Sequence, residues 1–183
     1  MPDGPFRPAR VAVPLDPGIR IREEEGMKTV RPATMSDYFD WLKLAEEVEP
    51  LFGPMTNDPD FCEALKQAIG GGTAFCLTES QGSGRGGLFL GGIVISREAN
   101  EILWLAVVRR SRGQKTGAAL LSEAMSHLDP TRPVTVTTFD RTVGAGTHAR
   151  RLYESFGFRD SVAAGPNPAG IPTVTMTFEK KTG

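Results

Sequence analysis

Ile102-Leu-Trp-Leu-Ala-Val-Val-Arg-Arg-Ser-Arg-Gly-Gln-Lys-Thr-Gly-Ala-Ala-Leu-Leu121 is the stretch that decides how this chain is read. Its first part, Ile102 to Val108, is short, apolar and rich in branched and aromatic residues, so it reads as a buried strand. A basic turn containing glycine follows, Arg109 to Gly117. From Gly117 the apolar residues Leu120, Leu121, Ala124, Met125 and Leu128 recur at helical spacing and give one apolar face. Strand, basic turn and helix make an anion-binding device. The first N–H groups of a helix lack internal partners and sit at the positive end of its dipole. Gly113 allows close backbone approach, and Arg112 and Lys115 add charge.

A Walker loop needs Gly-x-x-x-x-Gly-Lys-Ser/Thr, and Gly113-Gln-Lys-Thr-Gly117 has those letters in another order. The dinucleotide fingerprint Gly-x-Gly-x-x-Gly is absent from the stretch as well. Arg112-Gly-Gln-Lys-Thr-Gly117 instead resembles the pyrophosphate loop of the GNAT N-acetyltransferase superfamily, commonly Arg/Gln-x-x-Gly-x-Gly/Ala. Lys115 stands where the family has its first glycine. Further on, Pro133 to Phe139 reads as another buried strand. After it, His148-Ala-Arg-Arg-Leu-Tyr-Glu-Ser-Phe-Gly-Phe158 resembles the family signature Ala-x-x-Leu-Tyr-x-x-x-Gly-Phe. Ala149, Leu152, Tyr153 and Phe156 share a helix face there, and Gly157 suits its C-terminal stop. Gly146 stands where the family often has Asn.

The chain has 183 residues and a formal net charge of −1, which suits one domain with a real core and disfavours a nucleic-acid binder driven by bulk charge. Cys62 and Cys76 lack metal-ligand spacing and read as free thiols of a reducing cytoplasm; no metal is expected. No run has the apolar length of a membrane span, and no secretion signal is legible. Residues 1–26 are proline-rich and read as a loop-like or disordered extension to a domain at 27–183. The run Arg22-Glu-Glu-Glu-Gly-Met27 looks like a translated ribosome-binding site, so the native start is expected at Met27.

In order, Lys28 to Pro32 reads as a strand and Thr34 to Asp37 as a capping box. A helix follows that Pro50 stops, then an apolar loop, Leu51 to Met55, and a second helix opened by Asp58 and Pro59. Strands follow at Thr73–Thr78 and Leu88–Ser96, joined by a flexible turn, Gln81 to Gly87, with Gly91-Gly92 suggesting a bulge. Ser161–Ala164 reads as a short strand and Val174–Phe178 as a final edge strand. The expected fold is a single α/β domain: a mixed, mostly antiparallel sheet of six to seven strands with helices on both faces. That element order is also the GNAT order.

The resemblance implies transfer of an acetyl group from acetyl-CoA directly to a primary amine of a small molecule or peptide. It implies that backbone groups of Ala106, Val107 and Val108 hold the pantetheine arm, with an amide near Val108 facing the thioester oxygen. Arg112, Gly113, Gln114, Lys115, Thr116, Gly117 and Ala118 would hold the pyrophosphate. Tyr153 would act as general acid to the departing CoA thiolate, the alternative being a packing tyrosine. A base is also required: Glu101, Glu79, Glu49 and Asp140 all lie near the expected cleft, and a water relay is equally compatible. His148, Arg150 and Arg151 read chiefly as a solvated face. Glu46, Glu47, Glu49, Asp58 and Asp60 make the acceptor side acidic, which favours a cationic amine unless they are merely solvated. Trp41, Phe52 and Met55 read as pocket lining or as core. A different class stays open: an acyl-CoA-binding sensor module without turnover. GNAT proteins are often homodimers, and no interface is legible in this sequence.

Overall fold

The structure, a computed structural model, describes residues 26–80 and 87–179. The expected extension at 1–25 and most of the turn at 81–86 lie outside the described residues. The elements are β1 Lys28–Pro32, α1 Tyr38–Phe52, α2 Pro59–Gly70, β2 Ala74–Glu79, β3 Leu88–Ser96, β4 Glu101–Val107, α3 Thr116–Ser126, β5 Val134–Phe139, α4 Thr147–Ser155, β6 Arg159–Pro166 and β7 Pro172–Phe178. The strands form one seven-stranded sheet in the order β1-β2-β3-β4-β5-β7-β6. Every neighbouring pair is antiparallel except β4 and β5, which run parallel.

Helices cover both faces. Leu120, Leu121 and Ala124 of α3 and Tyr153 of α4 pack with Phe75, Leu77, Ile93, Ile102 and Val136 on one face. Trp41, Leu44, Ala45 and Val48 of α1 and Leu65 and Ile69 of α2 pack with Ala74, Cys76 and Ala106 on the other.

Two expectations about the elements change, and a third, the bulge near Gly91-Gly92, is located. Pro50 does not stop α1, which runs on to Phe52 and ends at Gly53, whose φ of 98° permits the turn away. A proline in the last turn costs one hydrogen bond, and burial of the helix outweighs that loss. β7 is not an edge strand: it lies between β5 and β6, and the fully exposed β6 forms the edge. The irregularity near Gly91-Gly92 is a register shift at Leu77/Thr78, which leaves Leu90 unmatched beside the glycines.

Two polar devices set the frame. The Asp37 carboxylate accepts from both Arg31 guanidinium nitrogens at 2.8 Å and from the Thr34 N–H and Oγ1, tying β1 to the start of α1. The Arg31 bonds, then those of Thr34, hold its pKa down to about 2 against the ordinary 3.8. A depressed carboxylate stabilises the fold fully above its unfolded pKa. That stabilisation fades as pH drops from about 4 through 2. Urea midpoints measured across this window should therefore fall less for Asp37→Asn than for the parent.

Asn100 is the second device. It is fully buried at a φ of 55°, its Nδ2 donates to the carbonyls of Asp129, Arg132 and Pro133, and its Oδ1 accepts from the Asp129 N–H. It clamps the beginning of β4 to the beginning of β5.

Candidate active site

Beyond that clamp the two parallel strands separate. β4 pairs with β5 only at Glu101–Thr135 and Ile102–Val136. From Leu103 onward β4 has a partner on its β3 side alone, so a V-shaped opening exposes main-chain groups. Strand parity says which. The Val108 N–H donates to Leu90 O at 3.0 Å, so residues 108, 106 and 104 direct their groups to β3. Leu105 and Val107 therefore point theirs into the V. Of the strand residues expected to meet a ligand through the backbone, Val107 opens toward the cleft. Ala106 and Val108 face the sheet, and Leu105, not anticipated, joins Val107. The register that fixes this parity depends on a shift between Val94 and Ile95 of β3 that leaves Leu103 unmatched on β4, which no local sequence pattern marks.

At the open end the chain makes a short 3-10 turn, Arg109–Ser111, and then enters α3. Among the described residues, no acceptor meets the main-chain N–H of Gly113, Gln114, Lys115, Thr116, Gly117 or Ala118; the first paired amide is that of Ala119, on Lys115 O. Consecutive unpaired N–H groups at a helix start form an anion cradle. The side chains set its shape. Arg112 donates through Nε to Val107 O and through Nη2 to Glu47, which also accepts from the Arg109 N–H at 2.7 Å. Gln114 bridges Arg110 O and the Lys28 ammonium. The Thr116 hydroxyl is buried without a partner among the described residues.

Lys115, where glycine is usual in the motif, takes a φ of 63°. The backbone thus keeps the left-handed turn that glycine would give, at a cost of about 1 kcal/mol. Lys115→Gly should raise thermal stability by up to about 1 kcal/mol while removing one cation from the cradle. Melting curves and the salt dependence of ligand binding read the two effects separately. Gly146 is explained by contact: a Cβ there would lie 2.3 Å from the Phe139 Cβ, so α4 can start against β5 only without a side chain.

Tyr153 lies on α4, 4% exposed, its ring edge-on to Phe158 at 5.6 Å. Its hydroxyl makes no hydrogen bond to any described residue, and burial pushes the phenol well above its ordinary pKa. Its neighbour Leu152 rests 3.1 Å from the position a Cβ would take on Gly117, so α4 packs directly against the cradle.

The candidate bases separate. The Glu49 carboxylate accepts from the N–H groups of Thr56 and Met55 and the Thr56 hydroxyl, and these bonds hold its pKa low. The Thr142 N–H and hydroxyl do the same for Asp140. Glu79 lies 4.0 Å from Lys28. Glu101 alone of the four has neither a side-chain hydrogen bond nor an ion pair among the described residues. Arg150 is not on a solvated face. It is 6% exposed and donates to Phe139 O, Asp160 and Glu154, locking α4 to β5 and β6. No cluster of three or more His, Cys, Asp or Glu residues that could hold a metal occurs among the described residues.

A family model described as the acetyltransferase (GNAT) domain matches residues 52–180. The chain belongs to the GNAT acetyltransferase family. No curated protein matches it in sequence. Solved GNAT structures share its fold. A Bacillus cereus GNAT acetyltransferase aligns with a TM-score of 0.62 at 16% identity, covering 85% of this chain and 99% of the other. Arabidopsis thaliana NAA60, in complex with a bisubstrate analogue, gives 0.63 at 16% identity, covering 83% and 98%. Diaminobutyrate acetyltransferase EctA from Paenibacillus lautus, in complex with diaminobutyric acid and coenzyme A, gives 0.61 at 17% identity, covering 83% and 94%. The residues that the family model matches take in both the opened β4–β5 pair and the amide row at the head of α3.

Proposed function

We propose that this GNAT protein is an acetyl-CoA-dependent N-acetyltransferase that moves an acetyl group directly to a primary amine of a small molecule or peptide in a reducing, cytoplasmic setting. The observation that carries this reading is the row of unpaired amides from Gly113 to Ala118 at the mouth of the opened β4–β5 pair. Such a row fits a diphosphate, and the orphaned Thr116 hydroxyl and the Lys115 ammonium beside it add a donor and a charge. Acetyl-CoA would supply the acetyl group as an activated thioester.

The chain's own residues do the rest. The open main-chain groups of Leu105 and the N–H of Val107, whose carbonyl already accepts from Arg112, would pair with the pantetheine arm as a missing strand does. The Leu105 N–H is the donor placed to hold the negative charge that grows on the acyl oxygen, a contribution of about 3 kcal/mol in comparable sites. Tyr153 would present its O–H to the departing sulfur. Glu101, or water beside it, would take the amine proton. EctA, solved with diaminobutyric acid and coenzyme A, supports a small-molecule amine as acceptor, and NAA60, solved with a bisubstrate analogue, supports direct transfer between two bound substrates.

Calorimetry with acetyl-CoA and with free coenzyme A tests the cradle. Saturable binding of both is expected, weakened by Gln114→Pro, which deletes one cradle N–H. Absence of binding by folded protein ends this reading. Binding without thiol release against any amine would leave a non-catalytic acyl-CoA-binding module in its place.

A further inference from the structure

Resting on the proposed transfer reaction, we infer that the acceptor is a primary amine carried one or two carbons from an aromatic ring, and not a polyamine. Three of the acidic residues that favoured a cationic acceptor have other roles. Glu49 holds the α1–α2 loop, Glu47 holds Arg109 and Arg112, and Asp58 caps α2 through the Asp60 N–H. None of Glu46, Glu47, Glu49, Asp58 or Asp60 lines the acceptor-side cavity.

That cavity, of about 680 Å³, lies between α1, α2 and the β3–β4 ribbon, and Trp41, Phe52, Phe61, Leu65, Leu103 and Trp104 form much of its wall. It adjoins the transfer point. Leu103 and Trp104 precede Leu105 on the same strand, so the wall begins within about 7 Å of the Leu105 amide at strand spacing. Phe52 meets Phe139 of β5 at 5.3 Å with the ring planes inclined at 57°, so the same wall reaches the other arm of the V. Its floor is firm. The two indoles pack against each other at 5.4 Å with their planes tilted by 36°, which leaves no open box of rings around a second cation. Both indole N–H groups are buried without an acceptor among the described residues, so the two rings meet the cavity with carbon and offer a polyamine no acceptor. Asn167 ties the β6–β7 loop to the end of α1: its Nδ2 donates to Leu51 O at 2.7 Å and its Oδ1 accepts from the N–H groups of Ala169 and Ile171. The charged lining is Arg97 and Glu98, both exposed on the β3–β4 turn, so the cavity carries no excess of carboxylate for a second ammonium group. An apolar ring gains by leaving water against its aromatic wall, and a second ammonium group loses hydration there.

The chain's two tryptophans both line this cavity, so intrinsic emission reports its occupancy without any turnover. The experiment titrates phenethylamine, a tripeptide beginning with Phe, and diaminobutane into the full chain with coenzyme A present. Saturable change with phenethylamine, the Phe peptide or both is expected, at least about tenfold tighter than with diaminobutane. The tighter of the first two arms tells whether a free amine or a chain terminus is the source. Leu103→Asp, at a position 55% exposed and therefore neutral to folding, should weaken the aromatic arm and narrow its lead over the diamine. Equal or tighter diamine binding, or no response to either aromatic probe, overturns the inference. Emission that responds without any thiol release from acetyl-CoA would instead refute the transfer reaction and leave the cavity's preference standing.

Discussion

Tyr153→Phe is expected to fold, to bind acetyl-CoA as the parent does, and to lose turnover by about a hundredfold. The substitution keeps the ring, and with it the edge-on contact to Phe158 and the packing under α4. It removes only a hydroxyl that no described residue engages. Burial raises the phenol's pKa, which has a consequence for its role. Full proton transfer to a thiolate of conjugate-acid pKa about 8.5 would run uphill, so the group serves best as a neutral hydrogen-bond donor to the leaving sulfur. A pKa raised above the ordinary phenol value of about 10 also keeps it protonated through neutral and mildly alkaline pH. The turnover profile of the parent should then show no alkaline fall that Tyr153→Phe abolishes. Steady-state turnover across pH, with acetyl-CoA binding measured alongside, separates the cases. Unchanged turnover removes Tyr153 from the chemistry, and lost binding would make it a packing residue.

Much of this arrangement was legible in the residues because it is local. The apolar run of β4, the basic turn and the apolar face of α3 follow each other directly, and each has its own periodicity. The GNAT resemblance rests on those same positions. What stayed hidden depends on pairings between distant segments. β7 enters between β5 and β6, and nothing in Val174 to Phe178 says which neighbour lies on either side. The choice of Leu105 over Ala106 as an open amide depends on a register shift across two strands. Asn100 looks like an ordinary turn residue until three carbonyls of the β5 approach converge on it. The acidic residues of α1 hid their partners for a related reason: a charge run shows its sign, but not which backbone N–H groups will claim Glu47 and Glu49. Lys115 shows the converse. The missing glycine suggested a changed loop, and the backbone instead holds the glycine conformation with a lysine in it.

The other large effect expected is on stability. Gly92→Ala should cost about 3 kcal/mol and lower the melting temperature by roughly 10 °C for a domain of this size. A Cβ at this position would stand 2.4, 2.6 and 2.8 Å from the Cη2, Cζ2 and Cζ3 atoms of Trp41. Neither side can retreat. Gly92 belongs to β3, held between β2 and β4, and Trp41 is 1% exposed with Trp104 and Phe89 against it at 5.4 and 5.9 Å. The glycine therefore serves a packing need, letting the indole of α1 lie flat on the sheet and thereby setting the floor of the acceptor cavity. The test is a double-mutant cycle with Trp41→Phe, which withdraws the benzo atoms that clash. Each single change should destabilise, and the pair should be more stable than their sum predicts by more than about 1 kcal/mol. The emission of Gly92→Ala should also shift, because one of the chain's two tryptophans is displaced. Strict additivity, or a neutral Gly92→Ala, would mean that the indole is not seated on β3. The cavity wall that favours an aromatic amine would then lose its support, while the amide cradle at the head of α3, which shares none of these contacts, would be untouched.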